Sequence, residues 1–521
     1  MDDPQVLIVG AGPTGLVLAH WLTRRGVRVR IIDKVAEPGM TSRALVVHAR
    51  TLEFYRQLGI ADAVVQQSHR FAAGNLWVND RIAGRVEFGP MDEGLTPFPY
   101  MLIFPQDEHE RLLIDRLAEA GIVVERPVEL VTFTEQADHV HAKLRHANSA
   151  EESCRASYLA GCDGAHSTVR GVMGAGFPGG TYERLFYVAD VAAAGAVMNG
   201  DLNIAVDEAD FLAVFPLKDL AHARLIGTVR EEEVAKRDGL VWEDVSHVAL
   251  DRLRIQVDRV NWFSTYRVHH RVADRFRRGR AFLLGDAAHI HSPVGGQGMN
   301  TGIGDAVNLA WKLAEVVQGR AAPSLLDTYE PERIAFARRL VATTDRAFTI
   351  VSSSGRTARF LRTVIAPRVL PMLFRSKSVR RYMFRVISQT SINYRDSSLS
   401  EGATGKVRAG DRLPWVAPEL AAGSDRDNFA PLKSLDWQMH VYGDCPPEVT
   451  NWCRTLGLER QVFPWNPMVA RAGLMQGALY LIRPDGHIGF AQTQPNLIEL
   501  DRYLNDHLRG TLSSAAAAPL K

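Results

Sequence analysis

Apolar and polar positions near the start of the chain follow a strand, helix, strand pattern. Residues 6–9 form a continuous apolar run, which is typical of a buried parallel strand. An apolar face with helical spacing then continues to Arg25 and ends at Gly26, and a second apolar run ends at Asp33. The pattern predicts the opening β–α–β unit of an α/β fold.

Two later regions also have strand character. Residues 202–206 and 211–216 alternate or run apolar between turn residues, which predicts strands of a second sheet. Near the end of the chain, residues 435–441 and 477–483 are predicted to be strands as well. The Arg-Pro-Asp-Gly sequence at 483–486 predicts a hairpin-type turn. The chain therefore contains more than one sheet.

Residues 330–395 are predicted to be helical, with prolines at 367 and 371 interrupting any long helix. Between Arg359 and Arg385, Arg and Lys side chains are interspersed with Leu, Val, Phe and Met. An amphipathic segment on a membrane surface is one interpretation of this pattern. A solvated face or a subunit contact, as in a homodimer, is the favoured interpretation, so no membrane partner is expected.

The overall composition is that of a globular protein with several domains. A length of 521 residues predicts two to four domains, and 46% hydrophobic with 23% charged residues is ordinary. The net charge of +2 does not indicate a basic surface for nucleic acid. The four cysteines form no CxxC, no apolar run is long enough to span a bilayer, and the acidic start differs from a secretory signal. A cytoplasmic location is therefore expected.

A glycine fingerprint follows the first strand at once. Gly10 allows a tight turn, Gly12 allows the backbone to approach a pyrophosphate, and Gly15 allows the helix to pack closely on the strand. The helix N-terminus offers free N–H groups and the positive end of a dipole. Asp33 has the spacing of an acid that binds ribose hydroxyls. These residues predict a dinucleotide site.

Two further motifs combine a strand with an acid, and a glycine-rich loop follows the second of them. Residues 160–170 read Ala-Gly-Cys-Asp-Gly-Ala-His-Ser-Thr-Val-Arg, and residues 280–289 read Arg-Ala-Phe-Leu-Leu-Gly-Asp-Ala-Ala-His. Residues 293–300 read Pro-Val-Gly-Gly-Gln-Gly-Met-Asn before a predicted helix from Ile303 to Gln318. Such a loop offers N–H donors and the positive end of a helix dipole to a negatively charged ligand.

Over roughly residues 5–345 these motifs, in this order and spacing, resemble the class A (single-component) flavoprotein aromatic hydroxylases. Arg43-Ala44 and Arg50-Thr51-Leu52-Glu53 resemble the phenol and polyketide hydroxylase branch. The resemblance implies an α/β fold with a Rossmann-like, glutathione-reductase-like FAD-binding domain. It also implies an inserted β-sheet substrate domain, a helical linker and a thioredoxin-like C-terminal domain.

The domain boundaries expected from this resemblance follow the changes of pattern along the chain. The FAD-binding domain comprises residues 1–75, 98–178 and 268–345, the substrate domain 76–97 and 179–267, the helical linker 346–396, the thioredoxin-like domain 397–512 and a disordered low-complexity tail 513–521. Because the C-terminal domain lacks a CxxC, a redox role is not expected for it.

The resemblance also assigns residues to the cofactor. The residues expected to bind FAD are Gly10, Gly12, Pro13, Thr14, Gly15, Asp33, Lys34, Arg43, Gln106, Asp163, Arg170, Asp286, Pro293, Gly295, Gly296, Gly298, Met299 and Asn300. Among them, Asp163 and Arg170 are expected to influence passing NAD(P)H, and Asp286 is expected to bind the ribitol chain.

The activity implied is hydroxylation of an aromatic, phenolic or polyketide-type small molecule, with FAD as cofactor and NADPH or NADH and O2 as co-substrates, through a flavin C4a-hydroperoxide. A Baeyer–Villiger or other flavin oxidoreductase, and a flavin-binding redox sensor without turnover, are the alternatives. The chain has one dinucleotide fingerprint, as class A enzymes do. No Trp-x-Trp-x-Ile-Pro stretch of the flavin halogenases occurs.

Candidates for the reaction itself are Pro293 and His48. Phenol hydroxylases use an acid where this chain has Leu45, and His48 is the nearest titratable alternative. An ordinary packed histidine is the favoured interpretation of His48. The substrate pocket is expected to include Phe211, Phe215 and Tyr187, although ordinary core packing explains such residues equally well. His289-x-His291 lacks a third ligand, so no metal site is expected.

Overall fold

The computed structural model of the protein describes residues 3–39, 44–78, 81–87, 94–206, 211–229, 240–352, 360, 365–418 and 426–508. Arg43 and the tail 513–521 lie outside these residues. The helices are α1 (Pro13–Arg24), α2 (Ala49–Leu58), α3 (Ala61–Gln67), α4 (Gln106–Glu119), α5 (Thr168–Met173), α6 (Val248–Leu253), α7 (Gly298–Val317), α8 (Tyr329–Ser352), α9 (Ala366–Arg375), α10 (Lys377–Ile387), α11 (Pro447–Leu456), α12 (Pro467–Arg471) and α13 (Leu497–Leu508).

Within the described ranges, the strands fall into five sheets. They are β1 (Val6–Val9), β2 (Val29–Ile32), β3 (Val46–Val47), β4 (His69–Arg70), β5 (Ala73–Val78), β6 (Arg81–Glu87), β7 (Leu102–Ile103), β8 (Val128–Glu135), β9 (Val140–His146), β10 (Glu151–Ala156), β11 (Tyr158–Gly161), β12 (Gly179–Ala194), β13 (Leu202–Val206), β14 (Phe211–Pro216), β15 (His222–Thr228), β16 (Gln256–Val272), β17 (Arg277–Arg278), β18 (Ala281–Leu283), β19 (His289–Ile290), β20 (Glu401–Thr404), β21 (Val407–Arg408), β22 (Gln438–Tyr442), β23 (Glu459–Phe463), β24 (Leu479–Ile482) and β25 (Ile488–Gln492).

A five-stranded sheet in the order β17-β18-β11-β1-β2 forms the centre of the first domain. Strands β18, β11, β1 and β2 are parallel, and only β17 is antiparallel to its neighbour. Every residue of β1 and β11 is buried, as expected for a sheet covered on both faces. Because the parallel strands end at one edge, the segments that follow β1, β2, β11 and β18 meet there.

Helices α1 and α7 cover this sheet and pack against each other. Helix α7 begins at Gly298, five residues before the predicted start at Ile303. The intervening glycines have low helix propensity, but a Cβ on Gly302 would lie 2.3 Å from Thr14 Oγ1. Close packing against α1 therefore both requires glycine and holds this segment helical.

An eight-stranded sheet, β19-β16-β12-β15-β14-β13-β5-β6, forms a second layer. The strands predicted at 202–206 and 211–216 are confirmed with the same bounds. One face packs on α6, and the other faces the first domain through a cluster that includes Val46 and Ile103. Strands β5 and β6 join this sheet from the N-terminal part of the chain, so the layer is built from three separate segments.

A six-stranded sheet, β21-β20-β25-β24-β22-β23, forms the C-terminal part. The predicted strand at 435–441 begins only at Gln438, because Leu435 adopts a left-handed conformation (φ 61°) at the end of a 3₁₀ turn. The predicted hairpin turn is confirmed, with the Gly486 N–H donating to the Arg483 carbonyl at 2.9 Å. Trp311 of α7 packs edge-on against Trp437, so this sheet adjoins the first domain.

Helices α8, α9 and α10 lie between the two parts and confirm the helical prediction for 330–395 over their own lengths. Residues 388–395 are not helical, and residues 353–359 and 361–364 lie outside the described residues. Pro371 lies inside α9, so the interruption occurs between short helices and not at that proline. Across the described residues, no helix has the length and apolar character of a membrane span. The four cysteines, all of them described, form no disulfide.

Candidate functional site

The three glycines of the first turn, Gly10, Gly12 and Gly15, differ in what surrounds them. A Cβ on Gly10 would lie 2.3 Å from the Cys162 carbonyl oxygen, and one on Gly15 would lie 2.0 Å from the Gly10 carbonyl oxygen. The fold itself therefore requires glycine at both positions. A Cβ on Gly12 would meet nothing closer than Glu110 Oε1 at 4.0 Å. The space beside Gly12, at the N-terminus of α1, is open for a ligand.

Asp33 lies at the end of β2 and shapes this turn. Its Oδ2 accepts from the Ala11 N–H at 2.8 Å, and its Oδ1 accepts from the Val35 N–H at 2.9 Å. Arg126, which the sequence motifs do not contain, lies 3.5 Å from the same carboxylate and donates to the Ala11 carbonyl at 3.4 Å. Lys34, by contrast, points outward and is exposed. Since each carboxylate oxygen can accept more than one hydrogen bond, Asp33 can still accept hydrogen bonds from ribose hydroxyls.

Gln106 begins α4 beside the same turn. Its side-chain amide donates to Glu110 Oε1 at 2.7 Å, and its backbone N–H donates to the Ala44 carbonyl at 3.1 Å. Burial raises the pKa of Glu110, a residue that no motif indicated. A carboxyl group kept closer to its neutral form is compatible with a nearby pyrophosphate.

The acid of the second motif is used within the protein. Asp163 accepts from the Ser167 hydroxyl at 2.5 Å and from the Val169 N–H at 3.1 Å at the start of α5. Arg170 donates to the Ala165 carbonyl at 2.7 Å and to the Ala287 carbonyl at 2.9 Å. Arg170 thus ties the second motif to the third, across 117 residues of sequence.

The third motif forms a short turn, residues 285–287, at the end of β18. Gly285 has a φ of +58°, and a Cβ there would lie 2.7 Å from Thr14 Oγ1. Thr14 belongs to the first turn of α1, so the two motifs meet in space. Asp286 is exposed although the residues on both sides of it are buried. Asp286 is therefore accessible close to the N-terminus of α1, and the space between Gly12 and this turn is called the groove below.

The glycine-rich loop lies next to this turn and leads into α7. Pro293 and Gly295 are exposed, and Gly298 and Met299 are half-buried. Gly296 has a φ of +62°, and a Cβ there would lie 2.7 Å from the Val46 Cβ. The loop therefore lies against β3, with its outer side toward the groove.

The Asn300 side chain holds this loop in place. Its amide nitrogen donates to the Val46 carbonyl at 2.8 Å and the Gly296 carbonyl at 2.9 Å. Its Oδ1 accepts from the His48 N–H at 3.0 Å and the Thr51 hydroxyl at 2.7 Å. Since the side chain makes four bonds within the protein, only its backbone is available to a ligand.

His48 is fully buried beneath the loop, with Nε2 2.8 Å from the Gly295 carbonyl oxygen. Burial lowers the pKa of His48 to about 4. The imidazole is therefore neutral at pH 7 and donates its Nε2–H to Gly295. This geometry places His48 behind the loop and not on the open side of the groove.

His48 gives a pH-dependent contribution to stability. In the unfolded chain, His48 takes up a proton below its ordinary pKa of 6.5. In the folded protein it takes up that proton only near its lowered pKa of about 4. Stability is therefore complete above pH 6.5 and declines as the pH falls toward 4. At pH 5 the parent loses about 2 kcal/mol of its free energy of unfolding through this proton, whereas Gln does not titrate. The stability difference between the parent and His48→Gln should therefore be about 2 kcal/mol less unfavourable to the variant at pH 5 than at pH 7. Urea unfolding of both proteins at the two pH values measures this, and an unchanged gap would contradict it.

Asp305 of α7 is a site residue that the sequence motifs missed. The fully buried carboxylate accepts from the Gly285 N–H at 3.0 Å, from His289 Nε2 at 2.8 Å and from Arg333 Nε at 2.6 Å. Arg333 also donates to the Thr301 carbonyl at 3.1 Å. The His289 Nε2 is therefore engaged in a hydrogen bond within the protein. Among the described residues, no group of three or more His, Cys, Asp or Glu side chains is arranged to hold a metal.

An apolar pocket cluster connects the loop with the eight-stranded sheet. Its members include Leu45, Val46, Met101, Phe211, Phe215, Trp262, Tyr266 and Ile387. Phe211 and Phe215 are half-buried on the sheet face that looks toward the loop. Tyr187 does not join them, because side chains alternate along β12. It lies on the opposite face, with its ring 6.0 Å from Trp242 and 6.1 Å from Phe263.

Comparison with known proteins gives one consistent assignment. A family model described as FAD binding domain matches residues 3–344. The 6-methylpretetramide 4-monooxygenase of Streptomyces rimosus is 38% identical over 420 residues, which cover 78% of this chain and 73% of that protein. A flavin-dependent monooxygenase of Mycobacteroides abscessus is 33% identical over 507 residues, 93% of this chain and 96% of that protein.

Solved structures agree with these relatives. The OxyS anhydrotetracycline hydroxylase from Streptomyces rimosus superposes with a TM-score of 0.78 at 28% identity, covering 97% of this chain and 99% of that one. Aklavinone-11 hydroxylase, solved with FAD and aklavinone, has a TM-score of 0.77 at 25% identity and covers 98% and 100%.

Two helix N-termini that converge on an open groove, beside acids at the ends of parallel strands, define a dinucleotide-binding α/β protein. The chain belongs to the FAD binding domain family. It is an FAD-dependent monooxygenase of the single-component aromatic hydroxylase type, like the relatives it matches along most of its length.

Proposed function

We propose that the protein hydroxylates a multi-ring phenolic or polyketide-type compound between the eight-stranded sheet and the 293–300 loop. The observation that carries this proposal is the continuity of the apolar pocket cluster with the loop. Val46 touches Gly296 on one side and belongs to the same cluster as Phe211 and Phe215 on the other. An apolar floor of this extent suits fused rings. Relatives named for 6-methylpretetramide and rifampicin favour the same substrate class.

The groove suits FAD lying extended from the first turn to the loop. The pyrophosphate would lie in the open space beside Gly12, the adenosine ribose at Asp33, and the ribitol chain at Asp286. When bound, FAD would pass two electrons from NADPH or NADH to O2, so that one oxygen atom enters the aromatic ring and the other leaves as water. Gln106 and, by the resemblance, Arg43 would flank the ribose and phosphates.

The chain's own residues would orient the flavin end and exclude water. The accessible glycines after Pro293, namely Gly295 and Gly298, would offer backbone N–H groups at the N-terminus of α7, where the helix dipole favours negative charge. His48 and Asn300 act through the loop, because both bind it from behind. We therefore assign them as positioning residues. Phe211 and Phe215 exclude water from the ring to be oxidised.

The activity can be tested with purified, FAD-loaded protein. NADPH and NADH oxidation is followed with simple phenols and with fused-ring phenols, and products are analysed by mass. The proposal predicts that a fused-ring compound accelerates cofactor oxidation and gains one oxygen atom as a hydroxyl group. A lactone product would instead indicate Baeyer–Villiger insertion. Formation of hydrogen peroxide alone with every compound would contradict a hydroxylase function.

Asp286→Ala tests the ribitol contact. Asp286 is exposed within a buried segment, so its removal should leave the fold intact. Losing a charge-assisted hydrogen bond of about 1.5–3 kcal/mol should weaken FAD binding by about tenfold to a hundredfold. The variant should purify largely colourless while its circular dichroism matches the parent. Full FAD occupancy would remove Asp286 from the site.

We further infer that residues 397–512 form a thioredoxin-like domain. From β22 onward the order is strand, helix, strand, helix, two strands and a helix. Strand β22 is parallel to β23 and antiparallel to β24, and β24 pairs antiparallel with β25. Since neither Cys445 nor Cys453 has a CxxC partner, the domain would support the first domain and not carry electrons. The boundaries expected at 75/76 and 267/268 fall inside β5 (Ala73–Val78) and β16 (Gln256–Val272). Since both strands belong to the eight-stranded sheet, we infer that the substrate domain includes these two strands in full.

A further inference from the structure

Helix α9 presents an unusually apolar surface to solvent. Ile365, Val369, Met372 and Leu373 are spaced as one helical face, and all four are exposed. Met372 is 72% exposed, among the highest values for a large apolar side chain in the described residues. On α10, Tyr382 and Val386 are also exposed, four positions apart. Contiguous exposed apolar side chains of this kind mark an interaction surface.

The same segment has a strongly one-sided charge. Between Asp345 and Asp396 the sequence contains eleven Arg or Lys residues and no Asp or Glu. Because the whole chain has a net charge of only +2, the rest of the chain is net negative. On α9 and α10 themselves the basic residues are Arg368, Arg375, Lys377, Arg380, Arg381 and Arg385. The partner of this surface should therefore be anionic.

The surface adjoins the proposed substrate pocket. Helix α9 packs beside β6, the edge strand of the eight-stranded sheet. Ile387, the last residue of α10, belongs to the apolar pocket cluster. An apolar compound held at this surface would therefore be close to the rim of the pocket.

The sequence pattern alone favours a solvated face or a subunit contact here, but the exposed apolar face of α9 changes that preference. We propose that α9 and α10 form a peripheral docking surface for an anionic phospholipid bilayer. Helices with apolar side chains on one face and Arg or Lys beside them lie in the lipid interface, where basic groups contact anionic headgroups. A symmetric contact with the same surface of a second copy is disfavoured, because the two basic surfaces would repel each other. An acidic protein would need a matching groove for a convex helix, whereas a bilayer accepts an apolar stripe of any shape.

Vesicle sedimentation tests this surface directly. FAD-loaded full-length protein is mixed with vesicles of phosphatidylcholine alone or of phosphatidylcholine with phosphatidylglycerol, without substrate. Binding is expected only with phosphatidylglycerol and should decrease at high salt, since screening weakens exposed charges. The double variant Met372→Glu, Leu373→Glu should partition at least about tenfold more weakly, because two apolar side chains no longer enter the interface.

Ile498→Glu provides the matched control. Ile498 on α13 is 83% exposed but lies in the C-terminal domain, so this variant should bind vesicles like the parent. FAD content and far-ultraviolet circular dichroism confirm that both variants are folded. Absence of phosphatidylglycerol-dependent binding, or equal binding of the α9 double variant, would overturn the proposal. So would a stable complex of α9 and α10 with an acidic protein, or self-association lost in the double variant, if vesicles are not bound.

Discussion

FAD affinity is expected to fall on the order of a hundredfold in Gly12→Ala, because one or two charge-assisted hydrogen bonds of about 1.5–3 kcal/mol are lost. The expectation rests on the position of the new methyl group. A Cβ on Gly12 has no protein atom closer than 4.0 Å, and it would occupy the space beside the α1 N-terminus. A pyrophosphate could no longer approach the backbone N–H groups there.

The fold should tolerate this change. Gly12 has a φ of −75° and a ψ of 179°, a conformation that alanine adopts without strain. The apoprotein should therefore unfold at nearly the parent's temperature, while fluorescence titration with FAD reports the loss of affinity. Unchanged FAD affinity would show that the cofactor lies elsewhere.

Gly15→Ala is the contrasting variant in the same turn. Its Cβ would lie 2.0 Å from the Gly10 carbonyl oxygen, a contact that the backbone cannot relieve without moving α1 from β1. We expect this protein to lose both thermal stability and FAD. The two alanine variants together separate a glycine required by the ligand from one required by the fold.

A second large effect is expected for Glu332→Ala, which should reduce the free energy of unfolding by about 3–5 kcal/mol, as when a buried ion pair loses one partner. The carboxylate is buried on α8. It accepts from both terminal nitrogens of Arg483, at 2.8 and 3.0 Å, and from Lys312 Nζ at 2.8 Å. Removing it leaves two buried cations with less compensation.

The network spans the boundary between the first domain and the C-terminal sheet. Arg483 and Asp485 lie in the turn between β24 and β25, and Asp485 also accepts from the Trp311 indole of α7 at 3.3 Å. Burial lowers the pKa of Lys312 to about 8 even with Glu332 present. Without that carboxylate, the pKa of Lys312 should fall further. Because the network joins the two parts of the protein, the lost free energy of unfolding should come from their contact.

Glu119→Ala is the matched control for Glu332→Ala. Glu119 pairs with Arg116 at 2.8 Å on α4, but both side chains are exposed, so its loss should cost less than about 1 kcal/mol. Urea unfolding, followed by tryptophan fluorescence, compares the two variants. Equal stability of Glu332→Ala and the parent would contradict a role for this network in joining the domains.

The sequence alone determined those features of this protein that depend on neighbouring residues. The apolar run at 6–9, the glycines at 10, 12 and 15, and the acid at 33 predict a dinucleotide turn because each requirement is met within a few residues. The strands at 202–206 and 211–216 were predictable for the same reason. The motifs that contain Asp163 and Asp286 indicated FAD by their resemblance to the flavoprotein hydroxylases. Both acids follow strands, and parallel strands end at one edge of their sheet.

Only the tertiary structure decided which side chains are accessible to a ligand and which make contacts that stabilise the fold. The direction of Tyr187 depended on strand register, since one position along a strand reverses the face. Asp305 lies 20 residues from Gly285, and Glu332 lies 151 residues from Arg483, so no local pattern joins either pair. Buried polar groups must find partners wherever the folded chain supplies them, and those partners are set by packing and not by sequence distance.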